Sequence, residues 1–535
     1  MRASLLRSLA TVSGLTLLSR VLGFGRQVLI AGVIGASGNP VADAFWAAFR
    51  LPNMFRRLFA EGAFQAAFIP LFQGKLSGEE KDAAKQFAEE VAAFLLLALS
   101  GLTAVVMVAA PIFVYVVASG FEQGTDKFSL TTLYLRIMFP YLACMSMVGL
   151  LSGVLNAHGR FAAYAAAPLL LNICQIAAIY SFADSPVEHA GLALAVATMV
   201  SGVAQFLLLF WGAQRQGYRL RLRPPKLTPD VKRLLALGAP GFLSAAAVQV
   251  NIVVGTNIAS RQPGAVSWLM NADQLYQLPL SLIGIALGSV LLPHLSRKVK
   301  EGDDAGADDA LNRALELSAL LCLPAAAALM VMAEPLCDTL FRGIATDALQ
   351  FMGGRESAFT PLDVAMTGAA LSLFGAGVPA FVWQKVFLPA YFAREDTKTP
   401  MNFALAAIAL NTVLALILFP FFGFLGVAAA TSIAAWLQAG LLARGLLARD
   451  QFHPDARLRK RLVVFLLAGG GMAAFIIWAT PFAPTLAPIF LDRSWIVILL
   501  IAGIAAVFYG LIVIGLGGAR LSDYKSLATT ATKSE

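Results

Sequence analysis

A chain of 535 residues would ordinarily fold as several soluble domains, yet 59% of its residues are hydrophobic and only 13% are charged, about half the charged share of a soluble chain. The composition excludes a soluble fold, and 45 Gly and 25 Pro without a short period, beside only 4 Cys, exclude collagen-like and disulfide-framework chains. The net charge of +9 comes from Lys and Arg scattered between apolar runs, a distribution that argues against nucleic acid as a partner.

A helix needs about 20 apolar residues to cross a bilayer. In chain order, charge-bearing candidates at 8–34 and 44–73 come first. Runs at 91–121, 137–157, 161–183, 190–214, 234–260, 268–296, 314–333 and 364–393 follow. The long stretch 399–443 is broken at Phe419-Pro-Phe-Phe-Gly423, which reads as two helices joined by a tight turn. Runs at 462–491 and 494–519 complete about fourteen helices of an all-α polytopic membrane protein. The first run is no cleavable signal peptide, because Arg20 and Arg26 interrupt it.

With the N-terminus inside, only Lys127, Arg261, Arg342, Arg355 and Arg493 among the loop cations fall outside, so both termini are expected in the cytoplasm. The linker from Arg215 to Arg233 is expected to lie on the anionic inner leaflet or simply to set topology. The acidic loop from Lys300 to Asp309 is expected to be mobile and without a role. No Cys/His spacing suits a metal, and none is expected.

Weak internal matches recur at offsets between 223 and 239: Ala42-Asp43 with Ala272-Asp273, Pro111 with Pro335, Pro140 with Pro379, Leu171-Asn172 with Leu410-Asn411. Their order predicts two lobes of six helices each, related by an axis along the membrane normal. The expected division is 1–225, a first lobe carrying the cationic half of a cavity; 226–450, a second lobe; and 451–535, two further helices and a tail.

Charges inside a membrane are expensive and point to function. The first two helices carry Arg20, Arg26, Arg50, Arg56 and Arg57, with only Asp43 and Glu61 as local acids. Arg57 and Glu61 are spaced to pair along the helix, which leaves Arg56 about 100° round. Snorkelling would account for Arg26 or Arg50 singly. Several guanidiniums with few acids instead suit a phosphate or pyrophosphate, whose oxygens match the guanidinium fork. At offset 230 the second half has Val250 for Arg20 and Thr256 for Arg26, so the halves are unequal. Lys385 is a lone cation that either reaches the cavity or snorkels.

Leu18-Ser-Arg20-Val-Leu-Gly-Phe-Gly-Arg26, Ala42-Asp43-Ala-Phe and Phe49-Arg-Leu-Pro-Asn-Met-Phe-Arg56-Arg57-Leu-Phe-Ala-Glu61 closely resemble the lipid II flippase family MurJ/MviN, of the multidrug/oligosaccharidyl-lipid/polysaccharide exporter superfamily. Ala272-Asp273 and Lys385 through Pro389 to Pro400 extend the resemblance over almost the whole chain. It implies fourteen helices around a V-shaped cavity, a groove for the lipid tail on the last two, and export of undecaprenyl-pyrophosphate-linked disaccharide-pentapeptide (lipid II) across the inner membrane for peptidoglycan synthesis. It also implies cavity arginines at Arg20, Arg26 and Arg56, an essential acid at Asp43, a supporting pair at Arg57 and Glu61, and gating or supporting roles for Asp273 and Lys385. No enzymatic activity or cofactor is expected, with membrane potential or an ion gradient as energy source, lipid II as partner, cell-wall synthases as further partners, and a monomer as functional unit. One departure stands out: where relatives carry Asp-Arg and then Glu, this chain reads Asp273-Gln274-Leu-Tyr-Gln277. The alternatives are a flippase for another polyprenyl-pyrophosphate-linked glycan or a drug/cation antiporter of the same fold. The antiporter would want intramembrane acids rather than arginines.

Overall fold

The computed structural model describes residues 2–59, 63–77, 81–218, 221, 223–490 and 493–518, and those residues contain helices and connecting turns but no strand. In chain order the helices are α1 (Arg2–Ile34), α2 (Pro40–Phe59), α3 (Ala63–Leu76), α4 (Lys81–Val108), α5 (Ala110–Val117), α6 (Asp126–Met138), α7 (Tyr141–Ala157), α8 (Ala162–Phe182), α9 (Val187–Arg215) and α10 (Pro229–Ala259). They continue as α11 (Ala265–Lys300), α12 (Asp304–Val331), α13 (Ala333–Cys337), α14 (Ala345–Phe351), α15 (Pro361–Phe392), α16 (Lys398–Phe422), α17 (Phe424–Ala448), α18 (Ala456–Ala479), α19 (Ala483–Leu486) and α20 (Ser494–Gly515).

Among the described residues, 11 helices are long and apolar enough to cross a membrane, which makes this a multi-pass membrane protein. Helices α2, α10 and α11 are not among them, so the fourteen crossings expected from sequence are reached only by counting these three. Helix α2 carries Asp43, Arg50, Arg56 and Arg57, and α11 contains two prolines and a basic last turn. The turn expected at Phe419–Gly423 is present: α16 stops at Phe422, and Gly423 takes φ +57°, where a side chain is disfavoured.

The chain divides into two compact units, Met1–Ser267 with Ile344–Asp363, and Trp268–Gly343 with Val364–Glu535. Helix α10 therefore groups with the nine helices before it, beyond residue 225. In the first unit α8 lies along α1, where the Asn172 amide donates to Ser19 O at 2.9 Å and passes within ordinary contact distance of Gly23. Phe64, Phe68, Phe72 and Phe87 stack in series between α3 and α4, with centroids 5.4 to 5.5 Å apart.

The linker before α10 is strapped to that unit. Glu89, 1% exposed, accepts from Arg221 N at 3.0 Å and Arg223 Nε at 2.6 Å. Thr228 donates to Glu90 at 2.8 Å, and Lys75 pairs with Asp230 at 2.8 Å.

In the second unit, α18 and α20 bury Phe465, Met472, Val497 and Ile501 against α12. Their opposite faces expose Leu466, Leu467, Ile477, Ile504, Val507 and Leu511, an apolar belt suited to hydrocarbon. A charged knot fastens the polar end of α18: Glu316 accepts from Arg313, Arg457 and Arg461, and Arg313 also pairs with Asp455 and Asp309. The acidic loop thus has a structural role. Asp303 caps α12 through Gly306 N at 2.8 Å, and Asp308 accepts from His453 N at 2.8 Å. A mobile loop was the expectation because its partners lie about 145 residues away in sequence.

Two expectations follow from the knot. Glu316→Ala leaves Arg461 buried without its carboxylate, so the thermal midpoint of the purified protein should fall by the equivalent of about 3 kcal/mol. Glu316→Gln, which keeps the shape, should lose less. His453 is gripped by Asp450 at 2.7 Å and Asp308 at 3.1 Å, and these hydrogen bonds raise its pKa above the ordinary imidazole value. Its anchoring should be complete below about pH 6.5, the unfolded value. It should fade as pH rises through the raised folded value, a loss that NMR titration would follow and His453→Gln would abolish.

Candidate functional site

Helix α2 is built to hold charge at both ends. Its first turn contains Asp43 and its last turn Arg56 and Arg57, a separation of 13 residues or about 20 Å along the axis. Between them Pro52 leaves the Ala48 carbonyl without its helical donor. Phe55 packs edge-on to Phe139 at 5.7 Å and so sets the arginine end against the junction of α6 and α7. There Asn53 Oδ1 accepts from Arg56 Nε at 3.2 Å and Nη2 at 3.0 Å, which holds the guanidinium plane.

Arg26 reaches the same place from α1. It lies within electrostatic reach of the Tyr141 hydroxyl and of Arg56. Its Nε is buried and has no hydrogen-bond partner. Two guanidiniums within electrostatic reach of each other, one with a buried Nε that no acceptor meets, carry a cost that an anion between them would offset. Phosphate oxygens would satisfy both forks. Arg20, less than two turns earlier on α1, is exposed, as is Arg57. Glu61 and its pairing with Arg57 lie outside the described residues.

Asp43 is fully buried, and four donors converge on its carboxylate. Lys127 Nζ reaches Oδ2 at 2.8 Å and Gly264 N reaches the same oxygen at 2.8 Å. Ser267 offers both its N–H, at 3.1 Å, and its hydroxyl, at 2.8 Å, to Oδ1. The Asp43 partner is thus a lysine at the N-terminus of α6. Lys127 was missed as a site residue because its loop position read as a topology charge. Its clue was being one of the few cations on that side.

A second carboxylate, Asp363, grips Ser37 in the same manner, accepting from its N–H at 3.0 Å and its hydroxyl at 2.5 Å. Ser37 and Ser267 stand at the repeat offset of 230. In the other unit, Asp273 accepts a short hydrogen bond from Gln277, so one amide that replaces a family charge is turned onto the neighbouring acid. Lys385 is exposed on α15 of that unit.

Many apolar spanning helices, a first helix pair carrying half-buried guanidiniums, and a buried carboxylate cage define the chain as a multi-pass membrane protein with the fold of a transporter. That fold is shared with an inward-facing multidrug resistance MATE family transporter of the MOP superfamily, at 14% identity and a TM-score of 0.63 over 85% of this chain and 98% of the other. The family is narrower: the chain belongs to the lipid II flippase MurJ family, whose model matches residues 30–491. It is 40% identical to the probable lipid II flippase MurJ of Rhizobium meliloti, over 97% of this chain and 95% of that one. It is 36% identical to the lipid II flippase MurJ of Burkholderia cenocepacia, over 89% and 90% respectively. A solved lipid II flippase MurJ in an inward closed conformation superposes with a TM-score of 0.75 at 22% identity, covering 94% of this chain and 98% of the other.

Proposed function

We propose that this protein is a transporter, not an enzyme, that moves lipid II from the inner to the outer leaflet of the cytoplasmic membrane. The observation that carries this reading is the approach of Arg26 and Arg56, with Arg26 Nε buried and unsatisfied, which fits a pyrophosphate. Family membership supplies the rest of the substrate's identity.

In this mechanism the headgroup enters from the cytoplasmic side, Arg26 and Arg56 take the pyrophosphate, and Arg20 guides it in. The lobes 1–225 and 226–450 then rock about it. Helices α2, α10 and α11 complete fourteen crossings, both termini are cytoplasmic, and 451–535 holds the tail along α18 and α20. Asp273 and Lys385 contact the headgroup from the second lobe, and Glu61 supports Arg57. Release needs a state with lower affinity for the anion, because a ligand shifts an equilibrium only by its differential affinity. The Asp43 cage, if opened in that state, frees Lys127 and a carboxylate to make such a difference. A membrane potential contributes about 2.3 kcal/mol per charge per 100 mV and can return an empty cationic cavity. The protein works as a monomer and hands its cargo to cell-wall synthases.

Complementation tests the reading. A host depleted of its own lipid II flippase should regain growth, shape and surface-exposed lipid II when this chain is expressed. Failure by abundant, folded wild type would transfer the proposal to another polyprenyl-pyrophosphate-linked glycan.

A further inference from the structure

A cavity of about 460 Å³ runs inside the first unit, between the end of α2 with α3 on one side and α4 with α10 on the other. Its size is that of a ligand pocket. Its lining includes Val91, Leu95 and Leu102 of α4, Val231 and Leu235 of α10, and Phe64 of α3, and every lining residue is apolar. The lining spans 91–102 on α4 and 231–242 on α10, so the space extends along about 16 Å of each helix. Its length suits a single extended hydrocarbon chain. Small residues keep it open: a Cβ on Gly238 would come no nearer than 3.7 Å to Ala67, and Ala98 and Ala239 are exposed along it.

Such a space does not stay empty in a membrane. A void would forfeit dispersion contacts along its whole lining, and water does not wet an apolar cavity. At the start of α10 the surroundings change sign. Lys232 and Arg233 are exposed beside Val231 and Arg57 is exposed beside Leu58, while Lys75 and Arg223 are paired with Asp230 and Glu89 in the strap next to it. An apolar slot with a cationic rim complements a lipid with an anionic head and an extended chain.

We propose that this slot binds one acyl chain of an anionic phospholipid, with its phosphate at the Lys232–Arg233 rim. The site is distinct from the arginine pair and from the α18–α20 face where the cargo's tail is placed. The lipid wedges the linker strap, α4 and α10 into one body.

The test uses the full chain in phosphatidylglycerol–phosphatidylcholine vesicles containing phosphatidylglycerol with a diazirine on its acyl chain. After irradiation, mass spectrometry should find label concentrated on 91–102 and 231–242 relative to α20. Ala98→Trp should remove that label while leaving label on α20, which reports a correctly embedded protein. Lys232→Ser with Arg233→Ser, which leaves the slot intact, should erase the preference over phosphatidylcholine carrying the same diazirine. Equal labelling of slot and α20 in wild type would overturn the proposal, as would an unchanged pattern in embedded Ala98→Trp. Displacement of the label by undecaprenyl phosphate, but not by unlabelled phosphatidylglycerol, would overturn it in favour of a prenyl chain.

Discussion

Arg26→Leu is expected to abolish rescue of a flippase-depleted host while leaving the thermal midpoint of the purified protein unchanged or raised. The two effects separate because no hydrogen bond to Arg26 Nε is lost, whereas a half-buried charge within electrostatic reach of a second guanidinium is removed. Losing one charge-assisted contact to a phosphate is worth about 1.5–3 kcal/mol, so transport should fall at least about tenfold. Arg26→Lys keeps the charge but not the fork and should fall between. A midpoint that drops with Arg26→Leu while transport survives would make Arg26 a packing residue. Translocated lipid II, scored at matched membrane levels of each variant, reads the outcome.

The opposite pattern is expected at the other end of α2. Asp43→Ala leaves Lys127, the Ser267 hydroxyl and two backbone N–H groups without their shared acceptor, three of them deeply buried. The cost should be about 3 kcal/mol or more, and the thermal midpoint should fall accordingly. Asp43→Asn retains an acceptor for the Ser267 turn but strands Lys127, so Lys127→Met should recover part of its loss in the double variant. Additive losses in that cycle would show that the lysine and the carboxylate act independently, and the ion pair would then carry none of the stability.

The helices were legible in the sequence because they are local, and so was the cationic character of the first two. Apolar runs of sufficient length and a proline–glycine break at 419–423 announce themselves within a window, and Arg20, Arg26 and Arg56 are conspicuous against an acid-poor hairpin. What was illegible is what the chain brings together from afar. Lys127 meets Asp43 across 84 residues, and Glu316 gathers Arg457 and Arg461 from about 145 residues away. Read singly, these cations are topology markers, since positive residues collect in loops whether or not a partner awaits them. Glu89 and Glu316, each at most 5% exposed, were the available hints. The grouping of α10 with the first unit was hidden for a different reason. The offsets between similar residues follow order along the chain, whereas contacts are decided by which faces pack.

The two gripped serines show what the copying kept. Ser37 and Ser267 are counterparts, and each gives its amide and its hydroxyl to one carboxylate. The carboxylates are not counterparts: Asp43 serves Ser267, while its own repeat mate Asp273 is occupied with Gln277 and Asp363 serves Ser37 instead. Meanwhile the second copy has Val250 and Thr256 where the first has Arg20 and Arg26. The same serine–carboxylate contact is thus made twice within the first unit, while the guanidiniums of Arg20 and Arg26 have no counterpart 230 residues on.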